Sequence, residues 1–205
     1  MKIGEIKIEA IKLMFTNYGL DVSITDLQSL LSDENYSSYF VNMPGSIARA
    51  LDRIQNACVL PLKSYEIQNS ECKFIGGMKK FDMALISDLY LIDRITATAD
   101  AFYDANTSYF KEGNVLVLDN DGSVHTVLYY PTIKTITENT DDNDELWIPD
   151  YIARLIPYFI KSELFQEEEP ELAAAARNLF EASLDDLKSS NESKQNKVKQ
   201  VFRFE

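Results

Sequence analysis

The sequence predicts an α+β protein that is mainly a helical bundle, with an inserted β-rich subdomain and an extended C-terminal tail. Apolar residues recur at helical spacing near both ends of the chain, whereas the middle contains the short apolar runs typical of strands. The last part of the chain is rich in Ser, Asn, Lys and Gln, which bury too little apolar surface to become ordered alone. We therefore expect a helical core at residues 1–75 and 146–188, a β-rich insertion at 82–138 and a tail at 189–205.

The clearest helical signal is a predicted hairpin of two helices, at residues 149–166 and 170–188. Pro149 suits the first position of the first helix, and Pro157 should kink that helix because it lacks a backbone N–H. Pro170 restarts a helix after a short acidic loop, so the two helices should be antiparallel neighbours. The apolar residues of the first helix are Ile152, Leu155, Ile156, Phe159, Ile160 and Leu164.

A second seam on this first helix is aromatic. Tyr151, Tyr158 and Phe165 recur every seven residues and widen the apolar face to about 260°. A face this wide is either enclosed within the domain or shared with another subunit. We interpret Phe159 and Ile160 as core and the aromatic seam as a subunit interface.

Two further helices are predicted near the N-terminus, at residues 3–18 and 44–58. Gly19 is suited to end the first, and Pro44 to begin the second. Between them, Thr25–Gln28 has the form of a capping box and predicts a short helical turn. A loop is expected around Ser32–Asn35.

In the β-rich region, the segments Val115–Leu118 and Val124–Tyr130 flank Asp119–Gly122. Apolar runs on both sides of a turn that ends in Gly are typical of a β-hairpin. We expect these two strands to pair with each other.

Composition and charge restrict the class of protein. A chain of 205 residues allows one domain or one and a half, and its net charge of −13 argues against nonspecific nucleic-acid binding. An acidic wall would nevertheless suit a channel through which DNA slides. No apolar run approaches the roughly 18 residues of a membrane helix. Cys58 and Cys72 are expected to be free thiols in a reducing cytoplasm.

Patterns of catalytic, cofactor or metal chemistry are not found in the sequence. His125 has no nearby Cys or second His that would complete a zinc site. Asp119–Gly122 resembles the start of a calcium loop, but Tyr130 stands where the closing Glu is needed. Gly76 and Gly77 precede lysines without the spacing of a phosphate-binding loop, and a mobile loop is expected there. We predict a protein without catalytic residues, cofactors or metal ligands.

One acidic residue lies within the apolar face of the first hairpin helix. Glu163 needs a counter-charge in that position, and Arg49, Arg53 or Arg177 would supply it. The expectation is a structural ion pair.

Taken together, several short segments resemble the head-tail connector (adaptor) proteins of tailed bacteriophages. They follow one another in the order and spacing of that family, and the resemblance covers most of the chain. The segments are Asn42–Ile47, Arg49-Ala50, Arg53-Ile54, Val59–Leu62, Val127–Pro131, Ile148–Asp150, Leu155–Leu164, Glu168–Pro170 and Ala176–Phe180.

The resemblance implies a non-enzymatic structural virion protein at the head-tail interface, present in the host cytoplasm during assembly. It implies a dodecameric ring that contacts the portal protein on one side and a stopper or tail protein on the other. Genomic DNA would pass through the ring without specific binding, and no membrane is involved. A different class, a small acidic regulatory or DNA-mimic protein that binds a basic partner, is the alternative.

The C-terminal tail is the predicted portal-binding segment. Residues 141–186 contain thirteen acidic and three basic side chains, whereas residues 188–205 contain five basic and two acidic ones. The apolar side chains at the extreme end would fill pockets on the portal, and the basic ones would meet an acidic surface. The predicted contacts are Lys194, Lys197, Lys199, Val201, Phe202, Arg203 and Phe204.

Overall fold

The computed structural model describes residues 1–18, 26–98 and 104–201, which divide into two compact units. The helical unit comprises Met1–Val59 with Ile133–Glu205, and the β unit comprises Leu60–Thr132. The expectation of a mainly helical bundle is wrong. Helix accounts for 49% of the structure and strand for 24%, and the strands form two antiparallel sheets.

The described part of the helical unit contains six α-helices. They are α1 (Ile3–Phe15), α2 (Leu27–Leu31), α3 (Glu34–Ala57), α4 (Asp150–Ala153), α5 (Ile156–Leu164) and α6 (Pro170–Val201). A short 3-10 turn, Thr16–Tyr18, follows α1 and confirms the predicted helical extent of this segment. Gly19, the predicted terminator, lies outside the described residues. The predicted turn before Leu31 is also confirmed, with Asp26 accepting from the backbone N–H of Gln28.

The long helix α3 begins ten residues earlier than predicted. Asp33 caps it by accepting a hydrogen bond from the backbone N–H of Asn35 at 2.9 Å, so the expected loop at Ser32–Asn35 is largely helix. Pro44 therefore lies inside α3 instead of at its start. At the other end, Cys58 adopts a left-handed conformation with φ 54°, a common way for a helix to end.

The predicted helix at 149–166 is divided into α4 and α5 instead of being kinked. Pro157 lies in the first turn of α5, where its missing N–H would have had no helical partner. α5 and α6 are antiparallel neighbours joined by a short acidic loop, as predicted.

The extended tail predicted from Ser189 is wrong, because α6 continues as helix to Val201. Residues 189–201 contain neither Gly nor Pro, and Lys, Gln and Glu are good helix formers. Extending an existing helix also avoids the unfavourable nucleation step. A polar composition predicts that a segment has no apolar core of its own, but it does not predict that the segment is non-helical.

The described strands of the β unit form two four-stranded antiparallel sheets. Their orders are β1-β8-β4-β5 and β2-β3-β7-β6. The strands are β1 (Lys63–Ile67), β2 (Cys72–Ile75), β3 (Met78–Asp82), β4 (Leu89–Thr98), β5 (Asp104–Asn106), β6 (Phe110–Glu112), β7 (Val115–Asp119) and β8 (Val124–Pro131). Strands thus begin at Lys63, well before the predicted start of the insertion.

The predicted pairing of the two strands around Asp119–Gly122 is wrong. Both strands exist, but β7 pairs with β3 and β6, whereas β8 pairs with β1 and β4. The turn therefore carries the chain from one sheet to the other. Gly122 has φ 84°, and Asp121 accepts a hydrogen bond from the backbone N–H of Ser123 at 2.9 Å. A turn sequence fixes the reversal of the chain but not its pairing partner.

Gly76 and Gly77 form a two-residue hairpin turn between β2 and β3, not a mobile loop. Ile75 is opposite Met78, and the two glycines have φ 59° and 80°. Positive φ at both central residues is the requirement of the tight turn that matches strand twist.

Each unit has its own core. In the β unit, residues of both sheets share one apolar cluster, which consists of Ile67, Phe81, Met83, Ile86, Ile92, Ile95, Leu116, Leu118, Val127 and Tyr129. In the helical unit, Phe159 and Ile160 are buried, as predicted. Within the described ranges, no helix combines the length and apolar character that a membrane crossing requires.

Candidate functional site

The first candidate feature is an ion pair that joins α3 to α5. The Arg49 guanidinium donates to both carboxylate oxygens of Glu163 over 2.7–3.1 Å, and it also donates to the Ser46 hydroxyl. This confirms the expected structural counter-charge of Glu163 and identifies it as Arg49. The paired geometry fixes the orientation of the two helices more strictly than a single contact would.

A second ion pair joins α3 to α6. Arg53 donates to both oxygens of Glu181 over 2.7–3.2 Å, and Arg177 approaches the same carboxylate at 3.3 Å. The hydrogen bonds from Arg53 lower the pKa of Glu181. Arg177 also lies over the ring of Phe159, 4.3 Å from its centroid. The three helices α3, α5 and α6 are thus connected by charged contacts above a buried aromatic ring.

The aromatic seam predicted as a subunit interface does not form one continuous surface. Tyr151 is 53% exposed and Tyr158 is half-buried, but Phe165 is only 1% exposed. The break between α4 and α5 interrupts the seven-residue spacing. Phe165 therefore belongs to the core of this chain, while the two tyrosines remain accessible.

Phe165 lies in an aromatic cluster with Phe15 and Tyr39, whose rings are 5.4 and 6.3 Å away. The Lys161 ammonium lies 5.7 Å above the Phe165 ring and donates to the carbonyl of Leu13 at 2.9 Å. Burial lowers the pKa of Lys161. These contacts attach α5 to α1 and are structural.

An open groove of about 1010 Å³ lies beside this cluster. Leu13, Pro157 and Tyr158 supply its apolar part. The charged residues along it are of both signs, namely Lys2, Glu5, Glu9, Lys12, Glu145, Asp150 and Arg154. A wide groove with mixed charge fits a protein surface better than a small-molecule pocket, which is usually enclosed and mostly apolar.

Trp147 is the most exposed of the large apolar side chains described, at 84%. Its neighbours Leu146 and Ile148 are each only 6% exposed. The segment is held against the start of α1, because the backbone N–H of Leu146 donates to the carbonyl of Met1 and that of Ile3 donates to the carbonyl of Asp144. Leu146 and Ile148 therefore anchor the segment, and Trp147 is turned to solvent. We did not predict this exposure, since Leu146, Trp147 and Ile148 are three consecutive apolar residues and only their burial alternates.

A second exposed apolar group lies in the β unit, at the β2–β3 turn. Phe74 and Ile75 are 49% and 58% exposed. A Cβ added to Gly76 or Gly77 would meet no atom within 4 Å, so the turn is open to solvent. The Gly-Gly signal for a hairpin was present in the sequence but was interpreted as a loop.

His125 is fully buried in the β unit, and neither ring nitrogen has a hydrogen-bond partner in the structure described. Burial and the nearby Lys79 lower the pKa of His125. The described residues contain no group of three His, Cys, Asp or Glu side chains arranged to hold a metal ion. Cys58 and Cys72 are half-buried, and neither is part of a disulfide.

The predicted portal-binding residues lie at the end of the chain. Lys194, Lys197, Lys199 and Val201 belong to the last turns of α6. Phe202, Arg203 and Phe204 lie outside the described residues. No structural feature tests their predicted role.

Comparison with known proteins identifies no relative: the sequence matches no protein-family model, and a search of the curated proteins returns no similar sequence.

Proposed function

We propose that this chain is a structural virion protein, a head-tail connector (adaptor) of a tailed bacteriophage. Its copies form a dodecameric ring between the portal and the stopper or tail protein, and DNA passes through the ring. The protein acts by assembly and not by catalysis.

The observation that carries the proposal is that residues of the adaptor-like segments meet in the helical unit. Arg49 and Glu163 belong to two of these segments, which are more than a hundred residues apart, and they form a paired ion bridge. Arg177, from a third segment, lies over the ring of Phe159. The resemblance rests on separate segments. Contacts between their side chains support it, because they bring these segments together in one helical core.

Charge and exposed surface also support the proposal. The net charge of −13 would let a ring of copies surround DNA without binding its phosphates. Trp147 and Tyr151 are exposed on the helical unit, whereas Phe74 and Ile75 are exposed on the β unit. Exposed aromatic and large aliphatic side chains are typical of surfaces that other proteins cover.

The direct test is the mass of the native assembly, measured by native mass spectrometry on the chain alone and with portal rings. A connector gives a ring or a portal-bound species many times the 23.4 kDa of one chain. A monomer or dimer that does not bind portal rings but binds a basic protein contradicts the proposal and favours the acidic regulator.

A variant test addresses the accessible part of the seam. Tyr158→Ala should reduce the portal-bound species, because the half-buried ring of Tyr158 lines the open groove. Val41→Ala is the control, since Val41 is 73% exposed on α3 and lies outside the seam. Equal assembly of both variants would remove Tyr158 from the interface.

A further inference from the structure

The β2–β3 turn forms a basic apolar surface, here named the hairpin tip and defined as Lys73–Met78. Phe74 and Ile75 are about half exposed, and the turn glycines are open to solvent. Lys73 is exposed and forms no ion pair with a described residue. Of the three lysines in Lys73–Lys80, Lys79 is buried and Lys80 pairs with Glu112 at 2.6 Å, so Lys73 is the exposed cation of this turn. The hairpin tip therefore combines apolar area with positive charge in a chain that is strongly acidic overall.

The helical unit carries a surface of opposite character, here named the tryptophan patch and defined as Glu145–Tyr151. Trp147 is 84% and Tyr151 is 53% exposed. Glu145 is exposed and forms no ion pair at contact distance within the described ranges. Residues 141–150 contain five carboxylates and no basic side chain, but three of them are paired within the helical unit, so the unpaired charge of the patch is that of Glu145; the pairs are Asp142 with Lys7, Asp144 with Lys134 and Asp150 with the Met1 ammonium group. The tryptophan patch therefore combines aromatic area with negative charge.

We propose that the hairpin tip of one copy binds the tryptophan patch of the next copy. This inference rests on the proposed ring and names the contact that closes it. Ile75 lies on the same face of β2 as Lys73 and would cover the indole of Trp147, whereas Phe74, on the opposite face, would meet the rim of the patch; both apolar side chains gain from burial. Lys73 would lie near Glu145 and the face of Trp147, where a cation is attracted by both.

The charges of the two surfaces favour a contact between them over a contact of either surface with itself. A contact of the hairpin tip with itself would bring Lys73 against Lys73, a contact of the tryptophan patch with itself would bring Glu145 against Glu145, and like charges oppose association. A head-to-tail contact pairs two different surfaces of the same chain, and repetition of such a contact generates rings. A chain with one basic and one acidic apolar surface meets that requirement.

The first experiment measures association of the full chain by light scattering over a range of concentrations, alone and on portal rings. Trp147→Ala and the double variant Phe74→Ser/Ile75→Ser should each weaken association about tenfold or more, as expected for central aromatic residues of an interface. Val41→Ser and Leu85→Ser are the controls, since they remove exposed apolar side chains at 73% and 49% exposure outside both surfaces.

Charge reversal separates a lost contact from a damaged fold. Lys73→Glu and Glu145→Lys should each weaken association, and the chain that carries both changes should regain it. A folding defect would persist in the double variant. Failure of the double variant to recover, with each single variant folded by circular dichroism, overturns the pairing.

A disulfide experiment tests the geometry. In a Cys58→Ser/Cys72→Ser background, chains with Ile75→Cys are mixed with chains with Trp147→Cys under mild oxidation. The proposal requires a covalent heterodimer in the mixture and little homodimer from either variant alone. Homodimers in preference to heterodimers, or no heterodimer either free or on portal rings, overturn it.

The outcomes distinguish this contact from the proposed function. Portal binding without the heterodimer removes the contact and leaves the connector function. The heterodimer without any portal binding leaves the contact and removes the connector function.

Discussion

Phe159 packs α5 against α6 in the helical unit. Its side chain is 3% exposed, its ring centroid is 5.0 Å from that of Phe180, and Arg177 lies above it. Phe159→Ala should lower the free energy of unfolding by about 3–5 kcal/mol, because it leaves a cavity and removes both ring contacts. Urea unfolding followed by circular dichroism measures the change.

Leu179→Ala is the matched control for that experiment, since Leu179 lies on the same helix as Phe180 but is 56% exposed. Its effect should stay within about 0.5 kcal/mol. A loss below about 1 kcal/mol for Phe159→Ala would mean that the α5–α6 contact is not part of the stable core.

The ion pair of Glu181 gives the helical unit a defined pH dependence. Hydrogen bonds from Arg53 lower the pKa of Glu181 below its ordinary value of 4.5. The unfolded chain therefore binds this proton more readily, so the stabilisation is present above about pH 4.5 and is lost as the pH falls through the lowered pKa. Glu181→Gln should cost about 1 kcal/mol at pH 7, and the difference from the wild type should shrink towards pH 3.

The same unfolding measurement at several pH values checks this expectation. Asp186→Asn is the control, because Asp186 is exposed in the interior of α6, away from its N-terminus, and forms no ion pair with a described residue. A difference for Glu181→Gln that stays constant from pH 7 to pH 3 would contradict the assigned cause.

His125 predicts a second pH dependence, in the β unit. Burial and Lys79 lower its pKa from 6.5, whereas Asp121 and Asp119 act in the opposite direction. The unfolded chain therefore takes up the proton first, and stability falls as the pH drops below about 6.5. His125→Leu should remove this loss, because it eliminates a buried ring whose nitrogens lack partners.

Thermal unfolding at pH 7.5 and pH 5.0 tests this for the full chain, with the wild type compared to His125→Leu. The difference between the melting temperatures at the two pH values should be smaller in His125→Leu than in the wild type. An unchanged difference would assign the acid sensitivity to other groups.

At the scale of elements, the sequence predicted what local periodicity determines. The α5–α6 hairpin, the burial of Phe159 and Ile160, and a counter-charge for Glu163 all follow from side chains that share one helix face. The strands at 115–119 and 124–131 were also identified. Their sheets were not, because strand pairing joins residues far apart in sequence and depends on which apolar faces meet.

Other elements were missed for reasons that can be stated. β1 is polar and mostly exposed, and β2 is only four residues long with its apolar residues Phe74 and Ile75 exposed, so neither shows the apolar alternation by which half-buried strands are recognised. α3 extends before Pro44 because the Asp33 cap outweighs the proline signal that favoured a later start. Trp147 was overlooked because three consecutive apolar residues, Leu146–Ile148, give no indication of which of them is exposed.

The division into units gives a prediction for the β unit as an element. Ile133 donates its backbone N–H to the Gln55 side chain at 2.6 Å, so the chain returns close to the end of α3. Replacing Leu60–Thr132 with a short Gly-Ser linker should therefore leave a folded helical unit, which circular dichroism would report. Deleting 82–138, the range first expected, would also remove Ile136, which is buried in the helical unit.

The same variant is then tested for its ability to support the assembly of infectious phage particles. The helical remnant should fail to complete infectious particles, because it lacks the hairpin tip. Normal particles would show that the β unit is not needed for assembly.

At the scale of the whole molecule, the proposed connector is predicted to contact the portal through the end of α6. Residues 188–205 carry net positive charge after a strongly acidic segment, and the structure continues α6 as helix as far as Val201. The basic side chains proposed for the portal therefore belong to a helix and not to a flexible spacer. A helix loses less conformational freedom on binding than an unstructured tether does.

This reassignment changes how portal docking is tested. A chain that ends at Lys188 would lose more than the docking residues, because Asn191 donates to the carbonyl of Val59 at 3.2 Å and attaches α6 to the end of α3. A chain that ends at Val201 keeps that contact and removes Phe202, Arg203 and Phe204. It should fold as the wild type does and lose portal binding in a pull-down.

The triple variant Lys194→Glu/Lys197→Glu/Lys199→Glu should lose binding too, whereas Lys188→Glu, an exposed position nearer the core, should keep it. Full binding by both the shortened chain and the triple variant would exclude the C-terminal segment as the docking element and leave the open groove beside Tyr158 as the next surface to examine.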